Sequence, residues 1–172
     1  MTLKSAPSDI NLIGQIVEYL QAVHAIHQSN ARNSDQSPVS SSEGLVLDDG
    51  CSFGECIPTG FQTLKKNSFQ TCYEKMLADP SLIYCEGYAI GEGMFTPLIH
   101  SWLVSEEGQI HDLTWKPVIT GYFGIALESD FVKATVEKTG CYGILASDYL
   151  QDFFIHRQGF ANTSRHPKFH QS

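Results

Sequence analysis

Three phrases decide how this 172-residue chain folds: Tyr84-Cys85-Glu86-Gly87-Tyr88-Ala89-Ile90, Leu98-Ile99-His100-Ser101-Trp102-Leu103-Val104 and Ile110-His111-Asp112-Leu113-Thr114-Trp115. Each is rich in β-branched and aromatic residues and bounded by turn formers: Gly91 and Gly93 after the first, Glu106-Glu107-Gly108 after the second. The expected elements are strands over Leu82–Ile90, Leu98–Val104 and Gln109–Asp112. Side chains alternate across a strand, so Leu98, His100, Trp102 and Val104 share one face. A hairpin centred on Glu106-Glu107-Gly108 sets position 104 opposite about 109 and position 101 opposite 112, close enough for His100 and Asp112 to meet. A helical stretch from about Cys72 to Asp79 precedes them and ends before Pro80, which biases Asp79 out of the helical region.

This order of elements carries a chemical layout. A cysteine at the start of a helix faces unpaired backbone N–H groups and the positive end of the macrodipole, both of which favour the thiolate. Cys72 stands where the polar Lys65–Thr71 approach gives way to Tyr73-Glu74-Lys75-Met76-Leu77-Ala78. If that approach is itself helical, Cys72 falls mid-helix and the dipole argument fails. With Cys72 as nucleophile, His100 is the candidate general base and acid, and Asp112 the carboxylate that orients it. Cys85 competes for the first role, but only 15 residues separate it from His100, with Gly91, Gly93 and Pro97 among them. That is short for a helix and a return strand, and the reading favours Cys72. Gln70, Glu86 and Trp102 are the candidates for oxyanion or substrate contacts. Plainer readings stand beside these, Trp102 and Trp115 as core residues and Glu86 as a buried carboxylate held by backbone N–H groups.

At these residues the chain resembles the transglutaminase-like and wider papain-like cysteine hydrolases. His100-Ser101-Trp102 is similar to the His-Ala-Trp of many transglutaminase-like domains, and Asp112-Leu113-Thr114-Trp115 to their Asp-Pro-Thr-Trp. A little-characterised group of small bacterial and phage-type proteins carries a Cys-aromatic pair, Glu-Gly-Tyr-Ala, His-x-Trp, Asp-x-Thr-Trp and Tyr-Phe-Gly in succession. All five phrases occur here, ending at Tyr122-Phe123-Gly124. The resemblance spans about residues 66–150 and departs where Lys75 replaces an Asn and Leu113 a Pro. It implies an α+β papain-like fold, with a helix packed on a small antiparallel sheet. The implied activity is cysteine-dependent acyl transfer on a protein or peptide amide: hydrolysis, deamidation or transamidation. A non-catalytic binding module that keeps the fold is the alternative.

Outside this stretch, Ile10, Ile13, Val17, Leu20 and His24 recur at helical spacing, and an amphipathic helix is expected over 8–28, capped at Ser8-Asp9. Residues 29–44 turn to Ser, Asn, Gln and Asp, the composition of a flexible linker. The main domain is expected over 45–156, opening with a short strand at Leu45-Val46-Leu47. Later come an apolar run at 121–127, a helix over about 130–139 behind Ser129, a last helix near 147–156 and a polar, frayed tail over 157–172.

The formal charge is −8, from 11 basic and 19 acidic residues, which opposes binding to phosphate backbones and makes nucleic acid an unexpected partner. No run of 18 or more apolar residues marks a membrane span, and no signal-type segment is read at the N-terminus, so the expected location is cytoplasmic. The odd number of cysteines, five, reads as reduced thiols. Cys51 and Cys56 lack the spacing of a zinc pair, and neither a metal nor a cofactor is expected.

Overall fold

The computed structural model describes residues 11–32, 40–62 and 67–169. Its centre is a five-stranded antiparallel sheet of β1 (Cys51–Cys56), β2 (Leu82–Gly91), β3 (Leu98–Ser105), β4 (Ile110–His111) and β5 (Thr120–Leu127), in the order β1-β5-β2-β3-β4. The helices are α1 (Leu12–Arg32), α2 (Ser42–Asp49), α3 (Ser68–Ala78), α4 (Ser129–Thr139) and the short α5 (Ile144–Ser147) and α6 (Phe154–Gln158). The chain is thus α+β, with helices packed on an antiparallel sheet.

Strand alternation divides the interior into two cores. Tyr84, Tyr88, Ile90, Leu103, Ile125 and Leu127 face the helices, where they pack with Leu12, Ile16 and Leu20 of α1 and with Cys72 and Met76 of α3. Ile83, Cys85, Ala89, Trp102, Val104, Tyr122 and Ala126 face the other way, where Phe53, Trp115 and Phe169 cover them. Two glycines make the second core possible. A Cβ on Gly124 would stand 2.7 Å from Trp102 Cη2 and 2.9 Å from Gly87 Cα, so the Trp102 ring lies on a glycine floor.

Several expectations are corrected at the ends of the chain. Leu45-Val46-Leu47 is helical, within α2, because the Ser41 hydroxyl accepts the Gly44 N–H at 3.0 Å and starts a turn there. A three-residue apolar run has no periodicity of its own to separate strand from helix. The helix expected over 8–28 runs from Leu12 to Arg32, and its expected Ser8-Asp9 cap lies outside the described residues. Asn11 takes the capping role, its Oδ1 accepting the Gly14 N–H at 2.8 Å. Of the expected linker, residues 33–39 lie outside the described set. Residues 29–32 continue α1, and His24 Nδ1 sits 3.1 Å from Ser41 Oγ, tying α1 to the start of α2.

The expected 147–156 helix is broken into α5, a 3-10 turn at Asp148–Gln151 and α6, with Asp152 and Phe153 both in the left-handed region at φ +58° and +56°. The tail is folded through residue 169. Arg165 pairs with Asp49 at 2.6 Å, and its backbone bridges Leu127 of β5. Phe160 is buried in the helix-side core and Phe169 covers the second one, so two isolated aromatic residues in a polar stretch anchor the tail together with the ion pair and the bridge. At α3, Asn67 Oδ1 accepts the Phe69 N–H at 2.9 Å, so the helix starts four residues before Cys72. Asn67→Ala is expected to destabilise the fold by about 1 kcal/mol, read by urea unfolding.

Candidate active site

β3 and β4 pair through Leu103 with His111 and Val104 with Ile110, one residue away from the expected register. The slip matters. It sets Asp112 level with Trp102, on the strand face that His100 shares, whereas the expected register would have set it on the face of Ser101. His100 Nε2 lies 2.7 Å from Asp112 Oδ2, and both residues are buried. The second oxygen, Asp112 Oδ1, accepts the N–H of Thr114 and of Trp115, each at 3.0 Å, an Asx-type turn at the end of the hairpin.

Two partners of this pair were not assigned to it from the sequence. Tyr122 donates its hydroxyl to Asp112 Oδ2 at 2.9 Å, reaching from β5, and the Trp115 ring stacks on His100 with centroids 4.3 Å apart and planes 26° from parallel. Their only signal is membership in the Tyr122-Phe123-Gly124 and Asp112-Leu113-Thr114-Trp115 phrases. Burial alone disfavours ionisation of Asp112. The His100 hydrogen bond and charge and the two backbone amides outweigh it and hold the carboxyl below its ordinary range. His100 Nδ1 has no hydrogen-bond partner among the described residues, so one ring nitrogen is anchored and the other is free.

Cys72 does not join this pair. Its thiol is 1% exposed in the helix-side core with Met76, Tyr84 and Leu103. β2 pairs Glu86 with Ser101 and Gly87 with His100, so Ser101 faces α3 and His100 faces away from it. Cys72 and His100 therefore lie on opposite faces of β3. Burial, reinforced by the charges of Asp112 and Glu86, pushes the Cys72 thiol up to about 12. The neighbouring Ser101 hydroxyl lowers it, by less than burial raises it, although Ser101 Oγ makes no hydrogen bond of full geometry. We read that contact as a loose dipole beside a protonated thiol. The helix dipole does not help, since Cys72 is the fifth residue of α3.

The other candidates are also placed. Cys85 lies in the second core, where burial pushes its thiol well above the ordinary value. Gln70 donates its amide to Glu74 Oε1 at 2.8 Å, on the surface of α3. Trp102 is an interior residue, wedged between Phe53 and Tyr122. Glu86 takes the backbone reading: Oε2 accepts Ile144 N–H at 2.7 Å and Oε1 accepts Leu145 N–H at 2.9 Å. Among the described residues there is no group of three or more His, Cys, Asp or Glu that could hold a metal ion, and no helix long and apolar enough to cross a membrane.

The chain also carries an internal comparison. Asp148 Oδ2 lies 2.6 Å from His156 Nδ1, and Asp148 accepts the N–H groups of Ile155 and His156, capping α6. The far nitrogen, His156 Nε2, is engaged by Ser42 Oγ at 3.0 Å. That pair has both nitrogens occupied and serves to join segments. A buried His–Asp pair in this protein is thus not in itself a sign of chemistry; the free Nδ1 is what distinguishes His100.

No family model, curated protein or solved structure matches the chain.

Proposed function

We propose that this chain is a papain-like α+β module that acts by binding, with Cys72 as a structural thiol. The observation that carries the reading is the burial of Cys72 in the helix-side core, across β3 from His100, with its thiol raised to about 12. A nucleophilic cysteine needs a thiolate in contact with its base, and this one is protonated and sealed. The papain-like assignment draws support from the sequence of elements: a cysteine-bearing helix, a strand with histidine and a neighbouring hairpin end with aspartate.

A binding role has a surface to work with. Phe95 is 99% exposed, and Leu98, Ile99, Val118 and Ile119 are exposed beside it at one end of the sheet. The Glu92 N–H to Ile119 carbonyl bond at 2.8 Å holds the two loops together. Exposed apolar side chains on adjoining loops offer a protein or peptide a surface to dock on.

The second reading, acyl transfer to water or an amine from a protein or peptide amide, is favoured by one observation: His100 has an ionised orienting carboxylate and an unengaged Nδ1. Site-resolved alkylation separates the two. Under iodoacetamide near neutral pH, the partly buried Cys51, Cys56 and Cys141 are expected to label in the native protein. Cys72 and Cys85 are expected to label only after denaturation. Native labelling of Cys72 faster than a free thiol, and lost in His100→Ala, would overturn the binding reading.

A further inference from the structure

The segment from α5 to α6 turns apolar side chains outward. Tyr149, Leu150, Phe153 and Phe154 lie close together in sequence, each between 43% and 58% exposed. At ~150–250 Å² for a whole aromatic side chain, the four leave about 400 Å² of apolar surface in water. A standard interface takes ~800 Å² from each partner, somewhat over half of it apolar, so this patch supplies nearly the whole apolar share of one. Its backing is pinned. Glu86 accepts the Ile144 and Leu145 amides, Asp148 accepts those of Ile155 and His156, and His156 Nε2 lies 3.0 Å from Ser42 Oγ. Such a platform meets a partner without first being ordered. On its outer side the chain turns at Asp152 and Phe153, both left-handed at φ +58° and +56°. Aspartate tolerates that region, but a phenylalanine there is strained. A glycine at 153 would make the turn at less cost, so the fold alone does not account for the half-exposed ring.

We propose that this patch is a homodimer interface, formed when two copies of the chain meet about a two-fold axis. Area alone would suit any protein partner; charge selects a second copy. At a formal charge of −8, two copies repel over most of their surfaces. The charged side chains tied to the patch run the other way. Arg157 pairs with Asp152 at 3.2 Å on its rim, and Lys138 of α4 donates to the neutral Gln151 at 3.0 Å, which leaves one positive charge unmatched. Arg157 and Asp152 are both well exposed, and a two-fold axis lets the Arg157 of each copy face the Asp152 of the other. The Phe95 surface, on the loop after β2, takes no part in this contact.

Analytical ultracentrifugation of the full chain tests this. At about 100 μM the unaltered protein is expected to show twice the mass of one chain, and to approach one on about hundredfold dilution. Phe154→Glu sets like charges against each other across the axis and is expected to weaken association at least about tenfold. Phe153→Gly removes a ring and relieves the turn, so weaker association is expected with no fall in the urea midpoint of the dilute protein. Phe95→Glu is expected to leave the mass unchanged. A single-chain mass at about 100 μM, the result if the patch takes a different protein, overturns the proposal. So does a dimer that Phe95→Glu breaks and Phe154→Glu does not.

Discussion

Asp112→Ala is expected to lower stability by about 3–5 kcal/mol in urea unfolding at neutral pH, a large part of the ~5–15 kcal/mol that holds a typical domain together. Removing the carboxylate strands five donors at once: His100 Nε2, the Tyr122 hydroxyl, the Thr114 and Trp115 amides and the Thr114 hydroxyl. Each is buried or nearly so, and a buried donor left without an acceptor bears its desolvation cost in full. Asp112→Asn is expected to lose less, because its single amide oxygen still accepts from the Asx turn. A loss below about 1 kcal/mol for the alanine variant would mean that the pair is peripheral to the fold. The pH dependence follows with its own sign. Asp112 is held below its ordinary range, so its contribution is present above the unfolded value and disappears as pH falls through the folded one. The alanine variant should therefore lose the acid-side decline of the unaltered protein.

The sheet was legible because its strands state their faces in sequence. Trp102 and Val104 read as one side of β3 and lie there, and Gly91 and Gly108 mark turns where turns occur. The histidine–aspartate contact was legible too, but through a register that was off by one. Nothing in Glu106-Glu107-Gly108 fixes the loop length to a single residue, and the burial of Ile110 against Val104 decides it. What the sequence could not supply was the position of α3 along its own axis. The cap at Asn67 lies in a polar stretch that reads equally well as loop, and four residues of extra helix remove Cys72 from the helix start. Nor could it show which face of β3 the helix covers, since Ser101 and His100 are neighbours in sequence and opposites in space. β1 was hidden for a similar reason. Cys51–Cys56 holds a bulge between Ser52 and Gly54 that breaks the alternation on which strands are recognised.

Trp102→Ala should show the second large effect, about 3–5 kcal/mol by the same measurement, towards the upper end of that range. The ring is fully buried, meeting Phe53 edge-on at 5.3 Å and Tyr122 at 5.1 Å. Its floor is Gly87 and Gly124, which have no side chains to move into the void, and the paired β2 and β5 backbones cannot close it without breaking their ladder. A cavity that cannot collapse is the costly kind. The loss should also reach Asp112, because Tyr122 packs on Trp102 and reaches that carboxylate with its hydroxyl. Trp102→Phe separates volume from polarity. The indole Nε1 is buried without a partner among the described residues, so the smaller ring gives up packing while relieving an unsatisfied donor. The expected loss for phenylalanine is therefore below about 1.5 kcal/mol, well short of the alanine value. Equal losses for the two substitutions would mean that a phenyl ring does not fill the volume over the glycine floor and that the second core depends on the full shape of the indole.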